Sequence, residues 1–401
     1  MPFPFEFVLF GAMLLGVALL HRHTLQVASF GLLLITAYKL VFADFHGVPG
    51  AAGLVDQLAG EWVLLVNLFC LLVGFAVLSR HFQLSQLPQL LPRLLPDDWT
   101  GGLVLLALIF VVSSFLDNIA AAVIGATAAA AVYRQRVHLG YLAAIVAAAN
   151  AGGSGSVVGD TTTTMMWLDG VAPLELLRAY VPAVVAFVVF AVPAARRQQA
   201  YSPIVRDPTS GARIDVSRVI VVAVILGGAI AANVYANSLP AGSGDAFPFI
   251  GATVIGLMLL LTPWRRPDWS VVPSAARGAS FLLALVVAAS MMPVDSLPEA
   301  SAQATFGLGL VSAVFDNIPL TRLALEQGGY DWAALAYAVG FGGSMLWFGS
   351  SAGVAVSNLF PEAKSAGQWL RQGWHVAVGY VLGFLAYLLV LGWQPEGPYL
   401  E

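Results

Sequence analysis

Two short polar motifs interrupt apolar stretches of this sequence, and each contains an aspartate followed by an asparagine. Asp117 and Asn118 lie within LDNI, and Asp316 and Asn317 lie within FDNIP. A carboxylate within a membrane is costly unless it faces protein or a watery cavity, so such residues are functional by default. Their oxygens suit a small cation, and Na⁺ is a candidate ligand at these four positions. Helix ends at the same places would equally favour an anion, and the motifs alone leave both possibilities open.

Each motif is followed about thirty residues later by a loop of glycines and hydroxyl residues. The first loop begins NAGGSGSVVGDTTTT at residue 150, and the second begins GFGGSMLWFGSS at residue 340. Glycines let a backbone bend and approach closely, as expected for Gly152, Gly153, Gly342 and Gly343. Neutral and acidic oxygens for a binding site are predicted at Asn150, Ser154, Asp160, Thr161, Thr162, Ser344 and Ser350.

Several of these residues also have a purely structural interpretation. Asp160 could be only the N-cap of a helix, and Asn118 and Asn317 could cap the helices that follow them. The threonines after Asp160 could bond their own backbone. Arg322, six residues after Asp316, could extend to the membrane surface beside Glu326 or could act as an internal counter-charge for a site carboxylate.

The composition is that of a multi-pass membrane protein. Hydrophobic residues make up 59% of the 401 residues and charged residues 10%, with a mean hydropathy of +0.83, whereas soluble domains carry about 25% charged residues. Cys70 is the single cysteine, which excludes an internal disulfide and a four-cysteine metal site. We expect no cofactor, no nucleic-acid partner and no enzymatic activity, with small ions and the bilayer as partners.

The apolar segments alternate with interrupted ones, and the order repeats. Breaks near residues 116, 152, 316 and 344 divide segments that are too short to span, which is typical of re-entrant hairpins and broken helices. The sequence therefore predicts an all-α polytopic fold of two inverted-topology repeats, with two re-entrant hairpins and two broken transmembrane helices. The predicted units are an N-terminal repeat at 1–196, a linker at 197–216 and a C-terminal repeat at 217–401. Full spans are expected near 5–20, 24–43, 61–79, 174–195, 217–236, 246–263 and 373–393.

The basic residues predict an orientation. Most lysines and arginines fall in alternate loops, and the linker region 196–218 holds five arginines, so the positive-inside rule places it in the cytoplasm. Both termini and the loop 44–60 are then outside. The first hairpin opens to the cytoplasm and the second to the outside, in a bacterial-type inner membrane.

The motifs LDNI at 116–119, AANAGGSGSVVGDTTTTMMW at 148–167, SAVFDNIP at 312–319 and GGSMLWFGSSAGVAV at 342–356 resemble those of one transporter family. It is the NhaD-type sodium/proton antiporters of the ion transporter superfamily, which also includes arsenite, citrate and dicarboxylate permeases. The resemblance implies a transport domain, a scaffold and a homodimer. Two departures bear on sodium: Ala120–Ala122 follow the first motif where hydroxyl residues are usual, and Arg322 stands in a normally apolar arm.

The predicted function is secondary active transport by alternating access, as a sodium or other cation/proton antiporter. The alternative is a proton- or sodium-coupled anion permease, in which half-helix N-termini and Arg322 would hold the substrate. An intramembrane aspartyl protease would need a GxGD motif, and Val157 stands where its first glycine belongs.

Overall fold

The computed structural model describes residues 4–20, 23–45, 47–86, 95–204, 214–239 and 246–395. The described chain is almost entirely helical, with a two-residue antiparallel strand pair as the exception. Residues 205–213 of the predicted linker and the basic pair His21-Arg22 lie outside the described residues.

The first half of the chain consists of helices, the strand pair, and the two interruptions predicted near residues 116 and 152. In chain order they are α1 (Phe5–Leu19), α2 (Thr24–Phe42), β1 (Asp44–Phe45), β2 (Val48–Pro49), α3 (Gly50–Leu84), α4 (Trp99–Ser113), α5 (Asn118–Val132), α6 (Leu139–Gly153), α7 (Thr161–Leu168), α8 (Pro173–Leu176) and α9 (Tyr180–Tyr201).

The second half has a similar order of long and short helices. They are α10 (Val216–Ser238), α11 (Phe249–Leu261), α12 (Val272–Ser290), α13 (Ala302–Ser312), α14 (Asn317–Gln327), α15 (Trp332–Gly342), α16 (Ser351–Leu359), α17 (Ala366–Gln372) and α18 (Trp374–Val390).

The protein is a multi-pass membrane protein. Among the described residues, five helical segments are long and apolar enough to cross a bilayer, and a sixth is obtained if α17 and α18, bent by 64°, count as one span. The expected spans at 5–20 and 246–263 are shorter than predicted, because α1 has 15 residues and α11 has 13. A single perpendicular crossing needs about 20 helical residues.

The helices form two packed groups. Helices α4–α9 and α13–α18 share one continuous apolar core, here called the core bundle. Helices α1–α3 and α10–α12, here called the outer helices, bury smaller apolar clusters, and one of these also includes Leu116, Ile124 and Val158 of the core bundle. The two groups meet at a seam where Leu68 and Leu282 of the outer helices pack with Met165 and Ile318 of the core bundle.

Helix α6 lies at the centre of the core bundle. All 15 of its residues are buried, and nine of them are alanine or glycine. Small residues let helix backbones approach closely in a membrane. Gly152 at its end shows this closeness, because a Cβ there would lie 2.0 Å from the carbonyl oxygen of Phe110 on α4.

Each half of the chain has an equivalent hydrogen bond between two of its own helices. The Ser113 hydroxyl, at the end of α4, donates to the carbonyl of Ala149 on α6 at 2.6 Å. The Ser312 hydroxyl, at the end of α13, donates to the carbonyl of Val339 on α15 at 2.7 Å. Each hydroxyl thereby fixes the arm before an Asp-Asn motif against the helix that precedes a glycine loop.

Two boundaries differ from the sequence-based prediction. The expected outer loop 44–60 is helical from Gly50 onward, because α3 extends over 35 residues and includes Gly53 and Gly60. Helix α9 continues to Tyr201, so the predicted linker 197–216 begins as helix.

Replacing Gly342 with alanine should destabilise the fold. A Cβ at this position would lie 2.2 Å from the backbone oxygen of Gly309, which cannot move independently. We expect a loss of about 1–3 kcal/mol, as for other overpacked interiors. Heat unfolding of the purified protein in detergent measures it.

Gly256→Ala is the matched control, since a Cβ there has no neighbour within 4 Å. It should leave the unfolding temperature unchanged or raise it slightly, because alanine favours helix over glycine. Equal unfolding temperatures for the two variants would contradict the close packing described here.

Candidate functional site

A cavity of about 420 Å³ lies between the core bundle and the outer helices. Its walls include the second half of α3, the first half of α12, and the start of α5. At one end, Ser274 and Gly278 are exposed, and Arg80 is partly exposed. That end is therefore the mouth. The polar residues predicted from the sequence that line the cavity are Asp117, Asn118, Asp160, Thr161, Asn317 and Ser350.

Asp160 is the carboxylate on which both Asp-Asn motifs converge. It lies directly before α7 and is 3% exposed. The Asn118 side-chain amide donates to its Oδ1 at 3.1 Å, and the Asn317 amide donates to its Oδ2 at 3.3 Å. A single buried acid thus links the helices that begin at the two interruptions, α5 and α14.

Capping alone does not account for Asp160, because its carboxylate also accepts from Asn118 and Asn317. Asp160 is in the N-cap position of α7. Its backbone oxygen accepts bonds from the hydroxyls of Thr163 and Thr164. Those two threonines bond backbone oxygens. Thr161 lines the cavity.

Asn150, at the end of α6, forms a second polar layer behind Asp160. Its amide nitrogen donates to the hydroxyls of Ser344 at 2.9 Å and Ser350 at 3.1 Å. Its Oδ1 accepts from the Asn118 amide at 3.1 Å. The network therefore joins both glycine loops and the first Asp-Asn motif through buried side chains.

The aspartates of the motifs cap the helices that follow them. Asp117 accepts from the backbone amide of Ala120 at 3.4 Å, and Asp316 accepts from that of Ile318 at 3.1 Å. The alternative in which Asn118 and Asn317 are the caps is wrong, because both belong to the first turn and direct their amides to Asp160. Asp117 lines the cavity, whereas Asp316 accepts from Ser351, which does.

Other predicted site residues take packing positions. The Ser154 hydroxyl donates to the Ala151 carbonyl at 2.8 Å, within one helical turn. A Cβ on Gly153 would lie 2.6 Å from the Gly159 oxygen, and one on Gly343 would lie 2.7 Å from the Gly349 oxygen. These glycines let the ends of each loop meet.

Gly340 is a position that sequence reasoning missed. It corresponds to Asn150 when the two loops are aligned on their GGS triplets. A Cβ at Gly340 would lie 3.0 Å from Asp160 Oδ2, so the missing side chain makes room for the carboxylate. The same alignment places Ser350 opposite Asp160, which leaves one carboxylate at the centre instead of two.

Arg322 contacts Glu326, as one of its two interpretations predicts, and it does not line the cavity beside the site carboxylates. Its side chain is 7% exposed and forms ion pairs with Glu61 at 3.6 Å, Asp169 at 3.3 Å and Glu326. It is not part of the cavity wall. Sequence reasoning missed Glu61 as its partner, and the available signal was an acid within the apolar stretch of α3.

The mouth of the cavity carries an ion pair. Arg80 Nε lies 2.9 Å from Asp268 Oδ2, in the loop before α12. Hydrogen bonds from the Ser270 hydroxyl and from Arg80 lower the pKa of Asp268 to about 2. Among the described residues, three or more histidine, cysteine, aspartate or glutamate side chains nowhere come together in a group that could hold a metal ion.

Known proteins related to this chain are sodium/proton antiporters. Sodium/proton antiporter 1 of Arabidopsis thaliana is 27% identical over 335 residues, which cover 73% of this chain and 55% of that protein. Sodium/proton antiporter 2 of the same plant is 23% identical over 316 residues, covering 70% and 74%. The Na(+)/H(+) antiporter NhaD of Halomonas elongata is 32% identical over 87 residues, covering 21% and 18%.

The chain is similar to these sodium/proton antiporters, one of which is an NhaD by name. It spans 55% of the length of the first of these relatives. The relatives are transporters by name, which agrees with the prediction of a transporter instead of an enzyme. No protein-family model matches the sequence.

Replacing Asn150 with alanine should cost more stability than removing another buried asparagine. The change leaves the Ser344 and Ser350 hydroxyls and the Asn118 amide without a shared partner. Each buried polar group left unpaired costs about 1–3 kcal/mol. The free energy lost is measured by heat or denaturant unfolding in detergent.

Asn67→Ala is the matched control, since Asn67 is also buried but its side chain accepts one hydrogen bond, from the Gly251 amide at 2.8 Å. An Asn150→Ala variant as stable as the Asn67→Ala variant would contradict a central role for this network.

Proposed function

We propose that this protein is a secondary active transporter that exchanges sodium, or another small monovalent cation, for protons. One observation carries the proposal: a buried carboxylate, Asp160, faces a cavity and is held by Asn118 and Asn317. Its hydrogen bonds come from neutral amides. A buried carboxylate without a cationic partner is stabilised by binding a proton or a metal cation.

Competition at that carboxylate would couple the two ions. The amides of Asn118 and Asn317 direct their nitrogens to Asp160, so their oxygens are the atoms available to a cation. Asp117, on the cavity wall, adds a second carboxylate. When Asp160 is ionised, these oxygens would hold Na⁺, and protonation of Asp160 would release it. The absence of hydroxyls at Ala120–Ala122 leaves the alkali-ion preference to be measured.

Alternating access would carry the bound ion across the membrane. The cavity has its mouth beside Arg80 and Ser274, and its polar end lies against the breaks before α5 and α14. Support for inverted repeats at 1–196 and 217–401 comes from the paired bonds of Ser113 and Ser312. In this proposal, α4–α5 and α13–α14 are re-entrant hairpins, and α6–α7 and α15–α16 are the broken helices.

The proposed orientation follows from the basic residues. Arg80, Arg265, Arg266 and Arg277 lie at or near the cavity mouth end of the outer helices, which the positive-inside rule assigns to the cytoplasm. The mouth would then face inward, the linker 197–216 would be cytoplasmic and both termini would be outside. A bacterial-type inner membrane and a homodimer are part of the same proposal.

The anion-permease alternative receives no support from Arg322. Its guanidinium contacts three carboxylates and does not line the cavity. Arg80 is the basic residue on the cavity wall within the described chain, and it is paired with Asp268 at the mouth.

Asp160→Asn should abolish cation/proton exchange, because the variant keeps the size of the side chain but loses the charge for which the ions compete. We expect exchange to fall by at least about two orders of magnitude, since each 1.4 kcal/mol of lost binding is tenfold. Proteoliposomes containing a pH-sensitive dye, pulsed with Na⁺, Li⁺ or K⁺, measure the flux.

Asp56→Asn removes an exposed carboxylate of α3 and should leave exchange unchanged. If Asp160→Asn retains the exchange rate of this control, the proposed function fails.

Asp117→Asn and Asp316→Asn should each abolish exchange as well. Asparagine caps helices about as well as aspartate, so the helix starts at α5 and α14 should survive. The loss would therefore report the charge and not the fold, which circular dichroism and size-exclusion profiles verify. Full sodium-driven proton flux in both variants would contradict a role for the two capping carboxylates in transport.

A further inference from the structure

A cluster of charged side chains connects the core bundle to the outer helices, away from the cavity wall. Arg322 on α14 contacts Glu61 on α3, Asp169 at the end of α7, and Glu326 one turn further along α14. Arg322 and Asp169 belong to the core bundle, whereas Glu61 belongs to the outer helices. The Arg322–Glu61 pair therefore bridges the two groups.

The cluster is charged and largely shielded from solvent. The exposed fractions of the side chains are 7% for Arg322, 12% for Glu61 and 18% for Glu326, and Asp169 at the cluster's edge is 34% exposed. Arginine keeps its proton in proteins, so the guanidinium is a permanent charge here. Arg322 Nε is buried and has no hydrogen-bond partner within the described residues. A buried ion pair of this kind is weak support for stability alone, and its removal strands the remaining charges.

The cluster lies beyond the closed end of the cavity. Along α3, the cavity wall runs from Leu68 to Gln83, and its exposed mouth is at the Gln83 end. Glu61 precedes Leu68 by seven residues, which is roughly 10 Å along a helix. Near it, Gln57 of α3 donates to the Ser290 hydroxyl at the end of α12 at 3.0 Å.

Between the cavity and the cluster lies the apolar seam. Leu68 and Leu282 of the outer helices pack there against Met165 and Ile318 of the core bundle. Met165 is on α7, which ends just before Asp169, and Ile318 is one turn before Arg322. The apolar seam and the charged cluster thus close the same end of the cavity in two successive layers.

We propose that Arg322 is the latch of a gate that closes the pathway on the side opposite the cavity mouth. In this conformation, the Arg322–Glu61 pair holds α14 and α7 against α3. For the opposite side to open, α14 and α7 must separate from α3, and the pair must break. Arg322 is thereby a positioning residue that acts on the balance of two conformations, not on the ion. The inference rests on the alternating access of the proposed function.

The test measures accessibility instead of transport. Val123 lines the cavity from α5, and Val123→Cys in a Cys70→Ser background gives one reporter thiol. A membrane-impermeant maleimide is applied to oriented proteoliposomes of the full chain, from the side on which Glu61 lies. Labelling from that side should be slow in the parent, and Arg322→Gln should raise its rate on the order of tenfold, since losing the latch shifts a two-state equilibrium.

Three further variants identify the cause. Glu61→Gln breaks the bridging pair while leaving Arg322 with two acidic partners, so it should also raise labelling, and combining it with Arg322→Gln should add little. Arg322→Lys keeps the positive charge, so its labelling should stay nearly as slow as in the parent. Arg178→Gln is the matched control, because Arg178 is partly buried within the core bundle and pairs with Asp331 at 3.9 Å. It should leave labelling unchanged.

Unchanged labelling in folded Arg322→Gln would overturn the latch. If Arg322→Gln fails to fold, an unchanged rate in Glu61→Gln would overturn it equally. Because the readout needs no ion gradient, a latch can be refuted while cation/proton exchange is intact. Conversely, absence of exchange in the parent would refute the proposed function whatever the labelling rates are.

Discussion

The structure of the site depends on one buried carboxylate that is stabilised by two amides from opposite halves of the chain. Asp160 accepts from Asn118 and Asn317, and Asn150 supports the first of these amides from behind. An ionised acid in an apolar interior is unstable without such donors. The two helices that bring these donors, α5 and α14, therefore begin beside Asp160, which accounts for the breaks at the Asp-Asn motifs.

The backbone groups left without helical partners at the two interruptions form hydrogen bonds with nearby residues. Broken helices expose backbone amides and carbonyls, which need partners in a membrane. Asp117 and Asp316 cap the restarting helices, and the Ser113 and Ser312 hydroxyls hold the preceding arms to carbonyls of α6 and α15. The aspartates thus serve the fold while Asp117 also faces the cavity, so capping and binding are not competing explanations.

The sequence predicted local features better than contacts between distant segments. The breaks at the two motifs were predicted, and the caps are Asp117 and Asp316, one residue before the predicted Asn118 and Asn317. Capping acts within a few positions, so a local pattern can record it. The predicted loop 44–60 was the stretch between the apolar segments 24–43 and 61–79, whereas α3 begins at Gly50 and tolerates Gly53 and Gly60 within its length. The partners of Arg322 and the convergence on Asp160 depend on tertiary packing between segments far apart in the chain, which no local pattern records.

The composition of α6 has a mechanical consequence. A helix whose residues are all buried and mostly alanine or glycine has few side-chain rotamers to exchange and almost no free volume. The core bundle around it is therefore stiff. The seam is built differently, from leucine, isoleucine and the flexible side chain of Met165, which can repack at low cost. Side chains that can repack are thus found at the seam, whereas Asn150 lies within the small-residue packing of α6.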